Sequence, residues 1–210
     1  ASGATLTTGA STLTLYGTVS GTGNLTKAGA GTVTLDAAGT FSYTGLTTVS
    51  AGTLAYAAND QLSGAVTVAG GTLSLGSFTD TIGKLTVSGG AITGTGALTV
   101  NSTDTFDLQS GSVAVDLNGT AAATKTTAGS ITLTGNNGFT GGFTLSLGTV
   151  LIGTNTALGN GALTLNGGAL ASNATVAAAG ARSPAPDPCL MFSCGGVWPV
   201  GVCARALVCA

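Results

Sequence analysis

Residues 21–56 read GTGNLTKAGAGTVTLDAAGTFSYTGLTTVSAGTLAY, and the fold follows from this stretch. Thr32-Val33-Thr34-Leu35 alternates polar and apolar, and Thr53-Leu54 opens a second run of the same kind. A period of two marks a strand with one buried face. Glycine, asparagine, aspartate and serine separate the runs, and these residues tolerate turns. The same alternation recurs at Thr12–Leu15, Thr72–Leu75, Lys84–Val87, Ala97–Val100, Ile131–Thr134 and Ala162–Leu165. Helical spacing is missing throughout, so almost no helix is expected.

A longer register overlies the short one. Leu13, Val33, Leu54, Leu73, Ile92, Val113, Ile131, Val150 and Leu170 recur at a pitch near 20. A second set, Leu25, Leu46, Val66, Leu85 and Phe106, then Leu145 and Leu163, keeps the same pitch with one gap. Two interleaved ladders with two or three short strands per period describe a solenoid. An antiparallel sandwich also offers short strands and glycine turns, but its strands recur at about 8–12 residues without a second register. One coil cannot bury enough apolar surface to order itself, so coils must stack on their neighbours. The expected fold is all-β: a right-handed parallel β-helix of about nine coils over residues 1–180.

Composition narrows the function. The 210 residues include 36 glycines and 38 threonines, no histidine and no glutamate, with 6% charged residues and a net charge of −2. Five lysines and arginines supply no basic field for a nucleic-acid backbone. Without histidine, the usual proton shuttle and commonest metal ligand are lacking. No apolar run is long enough for a transmembrane helix, and no signal peptide is legible, so the sequence reads as a piece of a longer protein.

Residues 21–56, and residues 133–170 (LTGNNGFTGGFTLSLGTVLIGTNTALGNGALTLNGGAL), resemble the autotransporter-associated β-strand repeat of type V secreted passenger domains. The first copy carries the pattern in Gly23, Leu25, Lys27, Gly29, Gly31, Thr32, Val33, Leu35, Tyr43, Thr44, Gly45, Thr47, Gly52, Thr53 and Leu54. The second carries it in Leu133, Asn136, Phe139, Thr140, Gly141, Thr144, Gly148, Thr149, Val150 and Ile152, without a lysine matching Lys27, while residues 101–130 match poorly. Tyr43 and Phe139 are expected to fill core corners. The resemblance implies a secreted or surface-exposed protein of a Gram-negative bacterium, with its own C-terminal outer-membrane β-barrel as partner. The implied role is a non-catalytic passenger stalk that promotes export and folding and displays other regions. The alternative is an adhesin or self-association module that contacts a host or bacterial cell surface; a polysaccharide-cleaving enzyme ranks third.

No catalytic, cofactor-binding or metal-binding residue is assigned. Asp104, Asp107 and Asp116 form the densest acidic group, but the spacing of Asp104 and Asp107 sends them to opposite faces of a strand. Calcium-binding repeats are lacking. Thr12, Thr32, Thr53 and Thr72 would stack one per coil, as on an ice-binding solenoid face, but alanines interrupt the array. Lys27 and Lys84 are expected as surface gatekeepers on a sparsely charged rod.

Residues 181–210 form a separate, irregular segment. All four cysteines (Cys189, Cys194, Cys203, Cys209) and all four prolines lie beyond Ala181. The cysteine spacing fits no zinc pattern. The abrupt change is what translation in another frame would give, and reading the source DNA in the other frames tests this.

Overall fold

The computed structural model describes residues 3–101, 103–172 and the strand Ala206–Cys209. Every regular element among the described residues is a strand. The chain winds as a three-sided parallel solenoid. Each turn supplies a strand to a first face, turns a corner, supplies a strand to a second face, and crosses a third side before rising to the next turn.

On the first face Gly3–Thr7 lies under Asn24–Ala28, then Thr47–Val49, then Val66–Val68, and so on to Leu163–Leu165. On the second face Thr12–Leu15 lies under Thr32–Leu35, Thr53–Tyr56 and Thr72–Gly76, ending at Gly168–Ser172. The third side is less regular: it pairs Thr18–Val19 with Thr40–Phe41, and Thr79–Ile82 with Ala97–Val100 and Asp116–Asn118. Nine rungs on the first two faces close about eight complete turns. These pairings are all parallel, which removes the sandwich alternative.

The first ladder holds in register from Leu13 through Val33, Leu54, Leu73 and Ile92 to Val113. It then slips. Ile131 lies opposite Gly111, while Val113 faces Leu133. The slip falls between Thr105–Val113, which runs through the corner as one long strand, and the turn above it, which holds three more residues between the pairs Asp107↔Thr124 and Gly111↔Ile131.

The second ladder needs three corrections. Thr47, not Leu46, stands between Leu25 and Val66; its buried hydroxyl is bonded to the Tyr43 hydroxyl at 2.6 Å, which makes threonine tolerable inside. The apparent gap is filled by Ala123 above Phe106. Phe143, not Leu145, faces Leu163.

Strands of the form polar–apolar–polar–apolar turn Val33, Leu35, Leu54, Leu73, Leu75, Leu85 and Val87 inward, where they are fully buried, while their counterparts in the end turns, such as Leu13 and Leu163, are partly exposed. Phe106, Phe139 and Phe143 thicken the core in the later turns, with ring centroids 5.4 and 6.5 Å apart. Tyr43 and Phe139 are both buried, as core corners should be.

Of the residues expected to be irregular, Ala206–Cys209 instead forms a strand antiparallel to Gly168–Ser172 and covers the hydrogen-bonding edge of that last rung. The rest of that segment, and residues 173–180 of the rod, lie outside the described residues, as do Cys189, Cys194 and Cys203.

Candidate functional site: two buried lysines at the corner of the coil

In Asn24-Leu25-Thr26-Lys27-Ala28, alternation puts Lys27 on the same side as Leu25, inside the solenoid. Its exposure is 0%. The inward column through this position reads Leu6, Lys27, Val49, Val68, Val87. The lysine stem therefore fills an aliphatic site, and the ammonium reaches on to the corner between the first two faces. There Nζ donates to Ala28 O at 2.9 Å, Gly29 O at 2.8 Å and Ala51 O at 3.1 Å. Three N–H groups meet three carbonyls, and the third carbonyl belongs to the next turn. No carboxylate shares the contact, and burial pulls the Lys27 amine below the ordinary lysine value.

Lys125 repeats the burial and the corner position, but bonds within its own turn only. It also has 0% exposure, on Ala122–Lys125, with Leu145 and Leu165 above it in the column. Its Nζ donates to Thr127 O and to Thr127 Oγ1. Burial lowers its pKa, and the Asp107 carboxylate pushes the other way.

One glycine in the turn above completes each corner. Gly52 has φ +63° and Gly148 φ +77°, in the left-handed region. A Cβ at Gly52 would stand 2.7 Å from Lys27 Nζ, and one at Gly148 would stand 2.5 Å from Lys125 Nζ. Only glycine leaves room for the ammonium and permits that backbone.

Lys27 is therefore no surface gatekeeper. Lys84 does lie at the surface, where its side chain is 47% exposed and pairs with Asp107 at 3.4 Å. Lys27 also has its counterpart in Lys125, which lies in the stretch where the repeat pattern looked poor. Ala123 stands there for leucine and Thr127 for glycine, and these two changes hide the motif.

The acidic group does not assemble. Asp107 lies on the first face beside Lys84 and Gln109. Asp116 lies on the third side, where Oδ1 accepts the Asn136 amide at 2.7 Å. Asp104 sits in a turn, its amide on Asn101 O. Among the described residues no group of three or more His, Cys, Asp or Glu is placed to hold a metal.

A third polar feature was not foreseen. Asp80 lies inside, 3% exposed, because Thr79-Asp80-Thr81-Ile82 sets it on the side of Ile82. Its Oδ2 accepts the Leu62 amide at 2.8 Å, the Tyr56 hydroxyl lies close to the carboxylate, and Gln61 Oε1 is buried without a hydrogen-bond partner. Burial raises the Asp80 carboxyl above its ordinary value, opposed by the Tyr56 hydroxyl and the Leu62 amide. Burial likewise lifts Tyr43 to about 12.

The passenger-associated-transport-repeat model matches residues 25–55 and again 124–152. The chain carries two passenger-associated-transport-repeats. Each matched segment begins two residues or fewer before a buried lysine and ends just beyond the glycine that covers it. The parallel β-solenoid fits an autotransporter passenger repeat domain, and such a repeat implies a secreted or surface-exposed Gram-negative protein. Neither the curated proteins nor the solved structures yield a match to the chain.

Proposed function

We propose that this chain is a non-catalytic stalk segment of an autotransporter passenger, whose two transport repeats promote folding during export at the cell surface. The observation behind this reading is the coincidence of each repeat with an internal lysine whose ammonium bonds carbonyl oxygen at a corner, three carbonyls for Lys27 and one for Lys125. Lys27 joins its own turn to the next through Ala51 O. A chain that emerges unfolded gains such a lock only when the neighbouring turn arrives, which favours stepwise stacking of turn on turn. An acceptor-rich corner satisfied by one side chain needs no cofactor or ion from outside.

The test places the chain behind a secretion signal and ahead of an outer-membrane translocator barrel, and measures surface display by protease accessibility. Deletion of residues 123–142 removes one turn in register together with Lys125. Deletion of residues 66–84 removes one turn in register that holds no internal lysine. The first is expected to lower display well below the second. Equal display from both contradicts an export role for the repeats.

A further inference from the structure

The first face presents one outward column with almost no variation. In register, from one end to the other, it reads Thr5, Thr26, Thr48, Thr67, Thr86, Asp107, Thr124, Thr144, Thr164. Every member is at least partly exposed. The second face has no such column. Its outward positions pass from Thr34 to Ala55, and from Thr149 to Ala169. Nine rungs at about 4.8 Å make the threonine column about 40 Å long.

We propose that this face is a self-association surface on which a second copy of the chain docks in antiparallel orientation about a two-fold axis. Three observations support the choice of partner. First, the face is flat and, apart from one ion pair, uncharged, so its burial desolvates few ions. Second, that ion pair is self-complementary. Lys84 and Asp107 lie on adjacent rungs, the fifth and sixth of the nine, 3.4 Å apart. A two-fold axis through the pair exchanges the two residues, so Lys84 of each copy meets an aspartate and Asp107 a lysine. Third, the same axis overlays eight of the nine rungs. Nearly the whole length of the face is therefore shared between the two copies.

Sedimentation velocity on the full chain, with reductant present to exclude cysteine cross-links, tests the proposal. The chain is expected to dimerise. Lys84→Asp and Asp107→Lys, each alone, place like charges across the axis and are expected to weaken dimerisation at least tenfold. Mixed in equal amounts, these two variants restore it, because residue 84 of one then opposes residue 107 of the other with unlike charge at both contacts. Thr67→Lys is expected to give monomer, and Thr53→Lys, on the second face, to change nothing. A monomeric chain at all concentrations overturns the proposal. So does a mixture no tighter than its components, equal loss from Thr53→Lys and Thr67→Lys, or a monomer that shows thermal hysteresis and so uses the column to bind ice.

Discussion

The coils around Lys27 and Lys125 and the coils between them turn the same corner in two different ways. In the matched repeats a lysine stem replaces an aliphatic side chain and its ammonium bonds the corner carbonyls. In the coils between, Val68 and Val87 occupy the column, and Leu85–Gly94 carries its strand through the bend at Gly89-Gly90. One design satisfies the corner with a side chain, the other with backbone and glycine pairs. At Lys27 the ammonium ties two successive turns together through a group that water cannot reach, whereas Lys125 bonds Thr127 within its own turn. The valine corner joins its turns through backbone amides, such as Ala69 N–H on Val49 O at 2.9 Å.

Six substitutions break or sharpen this contrast. The largest effect is expected from Phe139→Ala, because the ring contacts Phe106 and Phe143 at the centre of the second repeat; a loss of about 3–5 kcal/mol is expected from the denaturant midpoint. Gly52→Ala and Gly148→Ala come next. Each places a Cβ against an ammonium in a left-handed backbone that itself costs about 1–2 kcal/mol, so each is expected to lose at least that much, whereas Gly89→Ala, without a positive φ, is expected to lose less.

Lys27→Met and Lys125→Met keep the apolar stem and orphan the carbonyls. Each is expected to cost about 1–3 kcal/mol in chemical denaturation, adding when combined because the two corners are distant. Stabilisation by Met would mean that the buried charge is a burden the fold tolerates rather than a lock.

The smallest effect concerns pH. The folded state holds the Asp80 proton more tightly than the unfolded chain does, so this residue's contribution is fully present at low pH and is lost as pH rises through the raised carboxyl pKa. Asp80→Asn keeps an acceptor for the Leu62 amide and is expected to remove that dependence, raising the melting temperature at pH 7 and not at pH 3. The lysines act with the opposite slope. Their folded pKa lies below the unfolded value, so stability climbs as pH rises from the folded pKa towards the ordinary lysine value.

The fold was legible because alternation and pitch are both written in residue types. Thr32-Val33-Thr34-Leu35 names its inward side, and the recurrence from Leu13 to Ile92 names the stacking. The candidate site was hidden because polarity was allowed to override parity. Lys27 two positions after Leu25, Lys125 two after Ala123 and Asp80 two before Ile82 each carry the signature of an inward residue, yet a charged side chain reads as a surface one. Thr47 hid in the same way, its burial resting on a bond to Tyr43 that no local pattern reveals. The slip between Val113 and Ile131 was unreadable for a different reason: between the pairs Asp107↔Thr124 and Gly111↔Ile131 the upper turn carries three more residues than the lower, and no local pattern marks extra residues at a corner.

The most direct measurement is acylation of the folded chain with an amine-reactive ester, read lysine by lysine by mass spectrometry. Burial of both repeat lysines predicts rapid modification of Lys84, with Lys27 and Lys125 protected until denaturant unfolds the solenoid. Equal reactivity of all three lysines in the folded chain would contradict the internal corners on which the two repeats depend.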